Sequence, residues 1–174
     1  MASMKNKIDS TAFRQTMSCF TTGIAVVTAR DAELGAYGLT INSLTSVSLE
    51  PPLVLFCLDK SAVLHKAFRQ ADRFAINILA HDQEKISRHF ADRRHNPMPK
   101  NMWDRPKQDC PILRATLGWI LCKPYAFYKG GDHTIFVGEV IDLHKRTGAK
   151  EPLAYFHGRY RDLAVGKVTS GARK

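Results

Sequence analysis

The chain has no long apolar run. Its longest uninterrupted stretch is Leu53–Leu58, far short of the roughly 20 residues a membrane-spanning helix needs. The N-terminus, MASMKNKIDS, carries no apolar core of the kind a secretory signal requires, so a cytoplasmic protein is expected. Cysteine is sparse. Cys19, Cys57, Cys110 and Cys122 show no CxxC spacing and read as reduced thiols, mostly filling the core. Several motifs are missing altogether. Without GxGxxG after a strand or GxxxxGK[ST], neither a Rossmann fold nor a P-loop holds a nucleotide. Without HExxH or other ligand spacing among the 7 histidines, no metal site is expected. Without a GxSxG elbow, serine-hydrolase chemistry is not expected. Carboxylates are outnumbered, 16 Asp and Glu against 26 Lys and Arg, for a net charge of +10. That excess fits nucleic-acid binding or the attraction of an anionic cofactor and cosubstrate. Charge does not choose between them, but the basic residues are spread along the chain apart from Arg88–Lys107, and no nucleic-acid recognition motif appears.

What is present fits one soluble globular domain: 174 residues, 44% hydrophobic and 24% charged. The chain is organised around Gly38–Pro52, GLTINSLTSVSLEPP. Thr40, Asn42, Ser43, Thr45, Ser46 and Ser48 alternate imperfectly with Leu39, Ile41, Leu44, Val47 and Leu49. Alternation and β-branching suit a strand. An ordinary amphipathic strand would put Lys, Glu or Arg on its wet face, whereas this one carries short donors and acceptors and no charge before Glu50. Such a backbone can lie against a flat polar ligand; the ordinary reading is a strand followed by a Ser/Thr-rich loop.

Around it, Ile8–Thr22 reads as a helix capped by Asp9 or Ser10, with Phe13, Met17 and Phe20 on one stripe and Gly23 ending it. Ile24–Ala29 and Tyr37–Asn42 form a hairpin about the Asp31–Gly35 turn. Pro51-Pro52 holds the chain extended into a central strand, Leu53–Leu58. Ser61 then caps a helix striped by Val63, Leu64, Ala67 and Phe68, and free N–H groups there, beside Lys60, can bind an anion. Phe74–Leu79 is a buried strand with Asn77, which needs hydrogen-bond partners, in its middle. A short helix from His81 or Asp82 carries Ile86 and Phe90, and Arg88–Lys107 reads as a basic loop anchored by Trp103. Leu117–Tyr128 is strand broken by Pro124, His133–His144 is a long strand bent at Gly138, and Pro152–His157 is the last. Residues 1–7 and 164–174 are expected to be disordered, with one domain over 8–163. Mostly strands with about three short helices points to a β-barrel with appended helices.

The segment GLTINSLTSVSLEPPLVLFCLDKSA, followed by FAINIL at Phe74–Leu79, GDH at Gly131–His133, IFVGEV ending at Val140 and PLAYFHGRYRDL at Pro152–Leu163, resembles the short-chain flavin reductases. These are the NAD(P)H:flavin oxidoreductases that feed two-component monooxygenases. The order and spacing of the matches, over roughly residues 10 to 163, carry the resemblance more than any single motif does. It implies an FMN-binding split β-barrel, mainly β, working as a homodimer with flavin at the subunit interface. FMN or FAD would be the cofactor, and NADH or NADPH the cosubstrate. Hydride would pass from nicotinamide C4 to flavin N5. Reduced flavin would then leave for a flavin-dependent oxygenase component.

The resemblance also assigns residues. The cofactor-binding set is Thr40, Asn42, Ser43, Ser46, Val47, Ser48, Asp59, Lys60, Ser61, Asn77, Phe90, Tyr155 and Tyr160. Backbone N–H groups from Leu44 to Ser48 would stabilise charge on the reduced ring, and the Ser61 helix end would take the flavin phosphate. His133 would bind or orient the nicotinamide; otherwise it is a turn residue starting a strand. Tyr155 and Tyr160 cover the ring or pack the core. Three rivals stay open: a pyridoxamine-phosphate-oxidase-like enzyme, against which the GDH segment argues, a non-enzymatic flavin- or haem-binding module, and a basic nucleic-acid-binding domain.

Overall fold

The computed structural model describes residues 8–92, 98–104, 110–148 and 150–163. The termini expected to be disordered, 1–7 and 164–174, lie outside these residues, as do 93–97 and 105–107 of the basic stretch. The elements in order are α1 (Ser10–Met17), β1 (Thr22–Gly23), β2 (Ala25–Asp31), β3 (Gly35–Ile41), β4 (Thr45–Leu49), β5 (Pro52–Asp59), α2 (His65–Gln70), β6 (Phe74–Ile78), α3 (Glu84–Ala91), β7 (Trp103–Asp104), β8 (Ile112–Leu113), β9 (Gly118–Gly130), β10 (His133–Lys145), β11 (Ala154–Phe156) and β12 (Arg159–Arg161). Among the described residues, no helix is long and apolar enough to cross a membrane.

Seven antiparallel strands make the main sheet in the order β3-β2-β6-β9-β10-β5-β4. β3 also lies beside β5, so the sheet curls towards closure into a split barrel. Its interior is aromatic. Phe56 stacks on Phe136 at 5.0 Å between centroids and meets Phe74 edge-on at 5.5 Å. β5 alternates, with Val54, Phe56 and Leu58 buried and Leu55 and Cys57 half-exposed, as a strand with one face on a core must. Two bulges bend the β9–β10 pair. At the first, Val137 faces Ala126 and Gly138 faces Pro124, leaving Tyr125 as the extra residue. Pro124 lacks an N–H, and the pairing of β6 with β9 has already ended at Cys122, so no ladder bond is lost there. Gly138 is required by packing: a Cβ there would lie 2.5 Å from the Phe74 ring and 2.9 Å from the Cys122 Cβ.

Three expectations need correction. The first helix does not run over Ile8–Thr22. It is capped by Asp9, whose Oδ2 accepts from Ala12 N at 2.8 Å, and ends at Met17 in tightened turns, Cys19 N donating to Thr16 O and Phe20 N to Met17 O. Gly23 does not end it but belongs to β1, paired with Ala154 of β11. The helix buries no residue, so the Phe13, Met17 and Phe20 stripe is exposed at 58%, 52% and 71%. The second helix does not start at Ser61. It starts at His65, with Leu64 at its cap position, and buries only Phe68, which meets Tyr37 edge-on at 5.1 Å. The basic stretch is not loop throughout, because Arg88–Ala91 completes α3 and Trp103–Asp104 pairs with Ile112–Leu113. Of the cysteines, Cys110 and Cys122 are buried, Cys57 is half-buried and Cys19 is exposed. Burial pushes the Cys122 thiol up to about 12.

Candidate functional site

The segment Gly38–Thr45 runs out of β3 into the turn before β4 and lines two cavities. Gly38–Thr40 line a smaller one of about 230 Å³, shared with Asp59, Ser61 and Phe90. Asn42–Thr45 line a larger one of about 1090 Å³, shared with Cys57, His133, Tyr155 and the exposed face of α1. Backbone contacts fix the segment. Gly38 permits a close approach, since a Cβ would lie 3.1 Å from Val27 O and 3.2 Å from the Phe90 ring. Thr40 Oγ1 donates to Ser87 O at 2.7 Å and ties β3 to α3. Ser43 Oγ accepts from Cys57 N at 3.0 Å and donates to Cys57 O at 3.4 Å, clamping the turn to β5. Thr40 and Ser43, both expected to meet a ligand, therefore also hold their own backbone in place.

Across the larger cavity stands the β9–β10 turn. Gly131 has φ +66°, a conformation glycine adopts without strain. Asp132 O accepts from Lys60 N at 3.0 Å, and Gly131 O accepts from Lys60 Nζ, so the turn is latched to the end of β5. His133 pairs with Asp59 across the β5–β10 ladder and its Nδ1 lies 2.8 Å from Asp132 Oδ1. The hydrogen bond to the imidazole, more than its charge, lowers the Asp132 carboxyl below the ordinary carboxylate range. With Nδ1–H donating to Asp132, Nε2 is left for another partner. One strand residue on, Thr134 Oγ1 meets His65 Nε2 at 2.9 Å, which joins α2 to the same rim. Burial first, then the Arg69 and Lys60 charges, lowers the His65 imidazole, against a smaller opposing effect of Asp59.

The structure brings Thr40, Asn42, Ser43, Asp59, Ser61, Phe90, Tyr155 and His133 to the cavity walls. It does not bring the others. Ser46, Val47 and Ser48 lie along β4, the outer strand of the sheet, and line neither cavity; Ser46 faces Val54 and Ser48 Oγ accepts from Glu50 N at 3.2 Å. Lys60 spends its ammonium on Gly131 O. Ser61 is no helix cap: its N and Oγ both donate to Asp59 Oδ1 at 2.8 Å. The anion site expected at a Ser61 helix terminus is therefore not formed, and phosphate binding at Ser61 would require its hydroxyl to turn away from Asp59. Asn77 is fully buried in the core and fully engaged: Nδ2 donates to Val26 O and Thr28 Oγ1, each at 3.0 Å, and Oδ1 accepts from Leu113 N at 2.9 Å. It holds β6 to β2 and the 110–113 segment and faces no ligand cavity. Tyr160 packs: its hydroxyl lies 2.9 Å from Ser87 Oγ, its ring 5.4 Å from Tyr155, and Arg88 sits 4.9 Å above it. Sequence reasoning missed Asp132, which sits inside the GDH motif, and Phe13, Arg14 and Met17 of α1. The α1 stripe carries the signal, but its periodicity reads as core-facing.

The larger cleft of this split barrel is mostly apolar, with a few short hydroxyl and amide groups and one histidine on its wall, an arrangement suited to a flat heteroaromatic ligand. A family model described as "Flavin reductase like domain" matches residues 17–164, and the chain belongs to that family. It is 40% identical over 152 residues to the FMN reductase (NADH) SmoA of Agrobacterium fabrum, covering 87% of this chain and 85% of that one. It is 38% identical over 161 residues to an NADH-dependent FAD reductase of Streptomyces globisporus, covering 90% of this chain and 87% of that one. A solved structure of the Streptomyces globisporus NADH:FAD oxidoreductase SgcE6, in complex with NAD and FAD fragments, superposes with a TM-score of 0.85 and 36% identity, over 95% of this chain and 99% of that one. These relatives are flavin reductases, and the fold expected from the resemblance is the one the structure has.

Proposed function

We propose that this chain reduces FMN or FAD at the expense of NADH or NADPH and supplies the reduced flavin, by diffusion, to a flavin-dependent oxygenase component in the cytoplasm. The observation that carries the reading is the cavity of about 1090 Å³ in which Asn42–Thr45 and His133 meet. Its volume is at the upper end of ordinary small-molecule sites, enough for two stacked rings, and its largely apolar walls with a few polar groups fit a flat heteroaromatic ligand. When bound, the flavin supplies the acceptor for a hydride from the dihydronicotinamide. The protein's share is placement. The Ser43–Cys57 clamp holds the turn that borders the ring, Asn42 offers its amide to the ring's polar edge, and His133 Nε2 offers a hydrogen bond to the nicotinamide. No proton need move at His133, so its role is positioning. Ser61 and Thr40 form the wall where the flavin's ribityl phosphate would lie.

A homodimer belongs to the same proposal. β4 offers one open edge, and Leu49 and Val47 on it are 95% and 49% exposed, a surface that a second copy would cover. The test is NAD(P)H oxidation by purified protein with each flavin, alongside light scattering. Absence of turnover with either flavin and either nicotinamide refutes the reductase reading, and a fully active monomer refutes the dimer.

A further inference from the structure

Helix α1 lines the larger cavity, yet the reductase reading gives it no role. Its Phe13 and Met17 face that cavity one helical turn apart while more than half exposed, so none of the described residues covers them. Between them in sequence stands Arg14, which lines the same cavity. Arg14 is the sole lining residue with a fixed charge, and no Asp or Glu lines the cavity among the described residues. Its guanidinium makes no hydrogen bond or ion pair to any described residue. The one acidic residue at the start of α1, Asp9, is committed to the Ala12 N–H. A guanidinium in that position beside an apolar cleft is a receptor for an anion, and its planar fork suits phosphate oxygens. Of the charges near the cleft, Asp132 is taken by His133 and the Lys60 ammonium by Gly131 O, and Arg14 is the one fixed cation that lines the cleft among the described residues.

We propose that Arg14 binds a phosphate of the nicotinamide dinucleotide, so that α1 forms the wall of the nicotinamide subsite, facing His133 across the cleft. This rests on the reductase reading and adds a residue that selects for a phosphorylated hydride donor. Both the flavin and the nicotinamide nucleotide carry phosphate. We assign Arg14 to the second because the wall proposed for the flavin phosphate, Thr40 and Ser61, lies in the other cavity.

The experiment compares the wild-type protein with Arg14→Gln and Arg14→Lys, using two hydride donors, NADH and the phosphate-free 1-benzyl-1,4-dihydronicotinamide. FMN and riboflavin titrations are run on the same preparations. For Arg14→Gln, kcat/KM with NADH should fall about tenfold or more, mainly through KM, as expected for one charge-assisted bond. With the phosphate-free donor it should change less than about twofold, since that donor offers Arg14 nothing to bind. Arg14→Lys should recover part of the loss, and raising the ionic strength should weaken NADH binding more in the wild type than in Arg14→Gln. Equal losses with both donors, or no loss with either, overturn the assignment while leaving the reductase reading intact. A selective loss of FMN over riboflavin affinity also overturns it, since the phosphate would then be the flavin's. If wild-type protein oxidises neither donor with any flavin, the reductase reading falls and this inference with it. Arg14 is exposed, so all three proteins should share one thermal midpoint; a lowered midpoint in both variants would make Arg14 structural and overturn the proposal.

Discussion

Asn77 separates a core residue from a ligand residue, and its removal is the sharpest test of how the barrel is held together. In Asn77→Ala, Leu113 N–H loses the acceptor it has at 2.9 Å, and Val26 O and Thr28 Oγ1 each lose a donor at 3.0 Å. Thr28 Oγ1 keeps its own bond to Pro111 O at 2.5 Å, and the side chain is fully buried, so water does not replace what is lost. An orphaned buried N–H costs about 1–3 kcal/mol, and the space left by an amide adds a cavity cost. The total should be about 3–5 kcal/mol, at the severe end for a single substitution. Asn77→Asp keeps the shape but sets an acceptor-only carboxylate against Val26 O and Thr28 Oγ1, and should cost at least as much. The assay is urea unfolding with and without FMN, together with FMN titration of the folded fraction. Flavin affinity per folded molecule should match the wild type. A stability loss below about 1 kcal/mol would refute the network argument, and a tenfold weaker flavin affinity in a stable protein would return Asn77 to the binding site.

Three further outcomes are expected. Gly138→Ala forces a methyl against Phe74 and Cys122 and should cost about 1–3 kcal/mol by overpacking; an unchanged thermal midpoint would show that the β9–β10 bend relaxes freely. Burial first, then the Arg69 and Lys60 charges, lowers the His65 imidazole and so disfavours its charged form. Because its folded value lies below the ordinary 6.5, the unfolded chain takes up the proton first as pH falls. Stability from this group is therefore intact above pH 6.5 and declines from there down to the lowered folded value. Scanning calorimetry should show His65→Gln losing that slope, and an identical pH profile in both proteins would count against it. Ser61→Ala should weaken FMN binding up to about tenfold if the hydroxyl turns from Asp59 Oδ1 to the phosphate, and leave riboflavin unaffected. Equal losses for the two flavins would move the phosphate elsewhere.

The strands are legible in the sequence because their pattern and their chemistry agree. Val54, Phe56 and Leu58 alternate inward as β5 requires, and Pro124 marks a bulge because a missing N–H has one consequence in a ladder. The helices are less legible, for two different reasons. Ser61 satisfies every local rule for a cap, yet Asp59, two residues earlier, takes both its N–H and its hydroxyl. A competing Asx-type turn removes the anion site that helix-capping rules would build. The reading of Asn77 as a ligand residue follows from the resemblance, whereas its need for partners follows from burial. Only the three-dimensional meeting of β2, β6 and the 110–113 segment shows that those partners are all internal.

The α1 stripe shows why hydrophobic periodicity finds a face but not its partner. Phe13, Met17 and Phe20 recur at helical spacing, and the usual inference is burial in the chain's own core. Here the helix ends at Met17, the chain turns at Ser18 to enter β1, and the stripe is left over the cleft beside His133. Apolar side chains kept exposed beside a polar strip and a guanidinium carry a cost that a ligand or a second subunit can offset when it arrives. The stripe that periodicity alone assigns to the core lines the cleft instead, together with Arg14. Most of the excess behind the net charge of +10 is spread over the chain, where solvent and salt screen it. Arg14 differs because, though exposed, it lines a largely apolar cleft, where the proposed bond to phosphate would be screened less than in open solvent.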